Sequence, residues 1–202
     1  MKEVKALGLE KEDDQFYPDR NFKNIVPIVI KEEKPDAIVL QAGSIEISNM
    51  DVKTALMNTE EDIEEHKKKW AAKVEQDSKN LFNIAEMAIK NSPDLKVIIV
   101  KRFPRFDPPS VDPIGIKSKL SKFGNSVYDQ LWVEKGGPSN IRIVNFDFDC
   151  EESKYLKEIL FGNPVSKHYD GTHFRGRAAV RHFTYRALQA IKPILSPSYD
   201  KF

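Results

Sequence analysis

Three short apolar runs constrain the fold more than anything else in this chain: "AIVLQ" at 37–41, "KVIIV" at 96–100 and "IRIVNF" at 141–146. Each is too short for a helix and is rich in β-branched residues. The first is apolar on both faces, as expected of a parallel strand covered by helices on each side. Long stretches with helical periodicity lie between them. Parallel strands need crossover connections of a dozen residues or more, so the pattern strand, helix, strand, helix, strand predicts a parallel sheet with right-handed crossovers. The expected class is α/β, a three-layer α/β/α sandwich with a mostly parallel, doubly wound, flavodoxin-like sheet.

The elements can be bounded from local chemistry. Ile25, Val26, Ile28, Val29 and Ile30 suit a buried helix over 24–33, which Pro27 permits only if it lies in the first turn. Thr59 and Asp62 have capping-box spacing and open a long helix to Asn91. Its inward positions are Ile63, Trp70, Val74, Leu81, Ile84, Ala85, Ala88 and Ile89. In "EEDIEEHKKK" acids precede bases, which matches the helix dipole and predicts Glu64–Lys68 and Glu65–Lys69 pairs on a solvated face. A helix over 116–133 turns Leu120, Phe123, Val127 and Leu131 inward, and Gly136, Gly137 and Pro138 stop it. The last helix, 177–191, presents Val180, Phe183, Ala187, Leu188 and Ile191. Val4 to Leu9 reads as a further short strand.

Composition narrows the function classes. With 32 basic and 31 acidic side chains the formal charge is +1, so net charge offers no footprint for nucleic acid. The longest apolar runs fall far short of the roughly 20 residues of a membrane span. Cys150, the single cysteine, excludes an internal disulfide and a multi-cysteine zinc site. It suits a reducing compartment, and with no visible leader a cytoplasmic location is the expectation. The chain has the length of one domain, 1–202, with no internal repeat.

In open parallel sheets ligands gather at the carboxyl ends of the strands. The segments there are "AGSIEIS", "KRFPRFDPP", "NFDFDCEE" and, before the last helix, "HYDGTH". Two of these sit in a recognisable frame. "KPDAIVLQAGSIEIS" resembles the third conserved block of the SGNH (GDSL-type) hydrolases, and "YDGTHFRGRAAVRHFTYRALQAI" resembles their last block, Asp-x-x-His leading into the closing helix. The resemblance spans 4–191 and implies a sheet ordered 2-1-3-4-5. It also implies an esterase mechanism, in which a serine attacks an acyl ester, His173 serves as base and Asp170 orients it. Gly43 matches the third-block glycine, where oxyanion contacts are made, with Ser44 beside it, and Gly8 falls near the glycine of the second block. The implied ligand is a small or carbohydrate-borne ester, with no cofactor and no metal.

This chain departs from that family in two places. Ile45 stands where the oxyanion asparagine belongs, and an isoleucine offers no donor; losing one such donor costs on the order of 100- to 1000-fold in rate. No Gly-Asp-Ser occurs. If Val4 to Leu9 is the second strand, the first strand and its serine are expected outside these residues, and the domain is N-terminally incomplete. A non-catalytic binding or interaction module on the same fold is the alternative.

Other residues keep two readings each. Ser44 follows a strand and precedes no obvious helix, so it lacks the setting of a nucleophile elbow. Cys150 sits among Asp147, Asp149, Glu151 and Glu152, a field that disfavours a thiolate. Those carboxylates would hold a hard cation only if they converged. Arg102 and Arg105 could clamp a carboxylate, sulfate or phosphate with their forks, or could be ion-paired with Asp107 or Asp112. Arg177 and Arg181 share a helix face that reads as solvated.

Overall fold

Strands of four or five residues dictate a shallow sheet, and the helices that connect them are far longer than the strands. In the computed structural model the described residues are 22–57, 59–103 and 105–145, with Arg177, Arg181, Thr184, Tyr185, Leu188, Gln189 and 192–194. The elements run α1 (Phe22–Glu33), β1 (Ala37–Leu40), α2 (Ser44–Ser48), α3 (Val52–Ala55), α4 (Glu60–Asn91), β2 (Lys96–Val100), α5 (Ile116–Glu134) and β3 (Ile141–Val144). The remaining described residues from 177 to 194 are helical. The expected strand at Val4 to Leu9 lies outside the described residues.

The sheet is parallel and ordered β1-β2-β3. Its register aligns Ile38 with Val97 and Ile141, and Leu40 with Ile99 and Ile143. Those six side chains pack into one cluster with Val26 of α1, Leu81, Phe82, Ala85 and Ala88 of α4, and Tyr128 of α5. Helices α4 and α5 lie against each other over this face, and α1 packs on α4. On the second face Ile98 is completely buried and Val100 and Val144 nearly so. Val39 is 53% exposed there, however, so β1 is not covered on both faces as its apolar sequence suggested. Among the described residues β1 pairs with β2 alone and so lies at the edge of the three strands.

Helix α4 settles where a site can form. Its 32 residues span about 48 Å, roughly three times the length of β2. It leaves the carboxyl edge of the sheet and returns to the amino edge, so its first half projects beyond the strand ends. There Val74, Trp70 and Ala71 meet Ile47, Met50, Val52 and Leu56 from the α2–α3 region and Ile116 and Leu120 from α5, forming a second apolar cluster. The connection after β1 is therefore held down by its own core.

Local detail amends the sequence reading in several places. α1 begins at Phe22, two residues early, so Pro27 lies in its second turn and one helical hydrogen bond is forfeited. In α4 the capping box forms, but Glu64 pairs with Lys67 at 2.6 Å, not Lys68; Glu65 does pair with Lys69, at 2.7 Å. Both spacings bring side chains together on a helix surface. The buried stripe of α4 adds Ser78 and Phe82, while Ile63, Trp70, Ile84 and Ile89 are only half-buried. Phe123 is 37% exposed and Leu188 63% exposed, so neither is a core position. Arg177 and Arg181 are exposed, as a solvated face requires. Two short helices, α2 and α3, were not foreseen.

Candidate functional site

Among the described residues the carboxyl edge of the sheet brings together two of the segments the sequence singled out, those after β1 and β2. After β1 the chain turns at Gly43, with φ +88°, and enters α2 at Ser44. Ser44 therefore does open a helix, contrary to the sequence reading, though one of five residues. After β2 the chain is clamped to α5. Asn125 accepts from the Arg102 backbone N–H at 2.8 Å and donates to the Arg102 carbonyl at 3.0 Å. Ser121 donates to the Phe103 carbonyl at 3.2 Å, and Lys101 pairs with Asp129 at 2.6 Å.

That clamp sends the Arg102 side chain inward, where it is 3% exposed. Its Nη1 donates to Ser78 Oγ at 3.0 Å, and its Cζ lies 5.2 Å from the centre of the Tyr128 ring. Two glycines make room for it. A Cβ on Gly43 would fall well inside contact with Nε, Cζ and Nη2, and one on Gly124 would do the same with Nη1. The Gly43 position is nearer to each of the two nitrogens than to the carbon joining them, so the glycine sits off the Nε–Nη2 edge and not over the face. Along that edge Nε and Nη2 are buried without a hydrogen-bond acceptor among the described residues. A buried donor without an acceptor costs about 1–3 kcal/mol, and more for a charged group. The ring of Tyr128 returns part of this through its π face.

Arg105 is equally buried but fully engaged. Its Nε and Nη2 grip Asp107 in a fork at 2.8 and 2.7 Å, while Nη1 donates to Ser48 Oγ at 2.9 Å and the Ser44 carbonyl at 3.3 Å. Lys117 donates to the Ser48 carbonyl at 2.9 Å, so two cations hold the carboxyl end of α2. Burial holds the Lys117 ammonium below its usual range; Asp107 opposes that shift, Arg105 adds to it, and Asp112 and Asp51 again oppose it. Asp112 caps α5 by accepting from Ile116 and Lys117 N–H at 3.0 and 2.7 Å. The two arginines thus part company: Arg105 belongs to an ion pair with Asp107, and Arg102 pairs with neither Asp107 nor Asp112.

The structure brings Gly43, Ser44, Arg102 and Arg105 to one edge. Asp170, His173, Gly8 and Cys150 lie outside the described residues, as does the acidic run from Asp147 to Glu152. Among the described residues no three metal-binding side chains converge. Ser78, Gly124, Asn125 and Tyr128, which shape the Arg102 pocket, were missed at the level of sequence. A signal was available in "FGNS": a Gly-Asn pair inside an apolar helix costs about 1 kcal/mol or more, and it calls for a packing reason.

Together these features define a small parallel α/β domain with a polar cluster at the carboxyl edge of its sheet. Neither known protein-family models nor curated proteins match the chain.

Proposed function

We propose that this chain is an SGNH hydrolase-like domain of flavodoxin-like, three-layer α/β/α architecture, acting on acyl esters of a small or carbohydrate-borne substrate. The observation that carries the reading is the run of three parallel strands in sequential order, with Gly43 immediately beyond the first. In the 2-1-3-4-5 sheet of that family, strands three to five have this order and sense, and the third-block glycine has this place. The burial of Ile98, and the 3.0 Å hydrogen bond from Lys96 Nζ to the Ile194 carbonyl, support a second helical layer on the far face. In this reading His173 takes the proton from a serine on a strand beside β1, and Asp170 fixes its tautomer. Among the described residues no helix is long and apolar enough to cross a membrane.

The test is hydrolysis of a short-chain aryl ester by the native full-length protein, with His173→Ala alongside. Loss of turnover on the order of 10³-fold or more is expected in the variant. Equal turnover overturns the reading.

One observation favours a non-catalytic binding module on the same fold. The Gly43 turn is packed on a buried arginine, and Ile45 gives that turn no side-chain donor for an oxyanion. A folded native protein that hydrolyses no ester would select this second reading.

A further inference from the structure

Arg102 presents a problem that its surroundings do not solve. A guanidinium is a fork of donors with no acceptor, always charged, and it is ordinarily buried only against a carboxylate or phosphate. Here the side chain is 3% exposed, one nitrogen reaches a serine hydroxyl, and the Nε–Nη2 edge faces the Cα hydrogens of Gly43. Gly124 has been kept small to admit Nη1, Ser78 has been placed to accept from it, Tyr128 lies against Cζ, and Asn125 fixes the backbone from which the side chain starts. The scaffold orients the fork and leaves its best edge without an acceptor among the described residues.

The element closing that edge is a short turn, with Ala42 packed against the apolar cluster of the sheet and Gly43 beyond it. Ser44 and Ser48 are tied to Arg105, and Ser48 to Lys117, so α2 is pinned. Leu40 is fixed in the sheet. Only Gln41, Ala42 and Gly43 join the two, and Gly43 holds a positive φ that a glycine can leave at little cost.

We propose that the Nε–Nη2 edge of Arg102 is a receptor for a single carboxylate group, which replaces Gly43 at that edge when the 41–43 turn swings aside. The fork matches a planar two-oxygen anion in a bidentate pair. One carboxylate neutralises one guanidinium, whereas a phosphate dianion would leave a net charge in a buried site, which is unfavourable. Arg105 cannot compete, because Asp107 already fills its fork. This site uses neither Asp170 nor His173, and its test reads no hydrolysis, so it stands or falls apart from the esterase reading.

The experiment is a titration of the ¹⁵N-labelled chain with acetate at constant ionic strength, following the Nε–H resonances of Arg102 and Arg105 and the amides of Ala42 and Gly43. A saturable displacement of the Arg102 Nε–H, with the Ala42 and Gly43 amides moving in step and the Arg105 Nε–H still, supports the site. In Arg102→Lys, which keeps the charge and loses the fork, acetate affinity should fall on the order of tenfold or more. If that variant does not fold, the wild-type spectra decide alone. No displacement of the Arg102 Nε–H, equal movement of both arginines, or an equal response to phosphate or chloride overturns the proposal.

Discussion

Gly43 abuts the guanidinium of Arg102 edge-on, so that a methyl group on the glycine would fall between the donors Nε and Nη2. One residue ends the turn after β1 and the other follows β2, and each explains the other. The arginine can be buried at the mouth of the sheet because two residues without side chains, Gly43 and Gly124, leave the volume of its head group free. The connection after β1 can turn as tightly as it does because Gly43 tolerates φ +88°.

Replacing Gly43 by alanine should therefore be doubly costly. The added Cβ meets the guanidinium, and the positive φ is strained for any L side chain; overpacking and backbone strain together predict a loss of about 2–4 kcal/mol. Gly115 is the control, because it has φ +64° and nothing within 4 Å of its would-be Cβ. Gly115→Ala should cost only about 1–2 kcal/mol. Urea unfolding of both variants checks this, and equal losses would show that Arg102 does not hold its place against Gly43.

Asn125 closes two hydrogen bonds on the backbone of Arg102, one as acceptor and one as donor. Asn125→Ala leaves both backbone groups without that partner, and about 2–3 kcal/mol should be lost. Asn125→Asp keeps an acceptor for the N–H but sets a carboxylate oxygen against the Arg102 carbonyl, so it should be no better than alanine. Equilibrium unfolding of the pair provides the comparison, and a near-neutral aspartate variant would contradict the geometry.

What the sequence revealed and what it hid follow from how each signal is encoded. The three strands and the two crossover helices were legible because period and length are properties of contiguous residues. "KVIIV" can hardly be anything but a buried strand, and Thr59 with Asp62 marks a helix start by spacing alone. The Arg102 pocket was not legible in the same way. It is assembled from Gly43, Ser78, Gly124 and Tyr128, which come from one turn and two helices, and no local pattern records that they meet. Arg102 and Arg105 look alike in "KRFPRFD", yet Arg105 closes on Asp107 two residues further on, while tertiary packing sets the Gly43 turn against Arg102. The exposure of Val39 was hidden for a related reason, since an apolar tetrapeptide reads the same whether one face of it is covered or both. Asp170 and His173 rest on the resemblance of the last block alone.

The caps of α3 and α4 should be visible in acid. Asp62 accepts from the Thr59 hydroxyl and backbone N–H, and Asp51 accepts from the Thr54 hydroxyl and N–H; these bonds hold both carboxyls below their usual range. A carboxyl whose value is lowered on folding stabilises the fold above its unfolded value and gives that stability up as pH falls through its folded value. Stability should thus decline on the acid side of the ordinary carboxylate range, and Asp62→Asn should flatten part of that decline. Thr59→Ala, which removes the hydroxyl half of the box, should cost about 1 kcal/mol at neutral pH. Thermal melts at stepped pH test both, and an Asp62→Asn variant with the wild-type acid slope would remove Asp62 from the account.

The Arg105–Asp107 pair allows the sharpest energetic test, because both side chains are almost inaccessible, at 4% and 6% exposed, and the fork is bidentate. Breaking such a pair from one side strands a buried charge, so Asp107→Asn should lose about 3–5 kcal/mol. Arg105→Met should lose at least as much, because it also withdraws the donor that Ser48 and Ser44 share. The double variant removes both charges at once and should cost clearly less than the two single losses added, with a coupling of about 1–3 kcal/mol. The coupling arises because the penalty of each single change lies mostly in the partner left behind, and it cannot be incurred twice. Lys117 supplies a second measure, since Asp107 favours its charged form while burial and Arg105 disfavour it. Removing Asp107 alone should drive the ammonium still further below its usual value, whereas removing both should shift it less. Denaturant midpoints for the four proteins, with the Lys117 titration followed by NMR in each, would show whether the pin on α2 is one charge network; strictly additive losses and an unmoved Lys117 would mean that it is not.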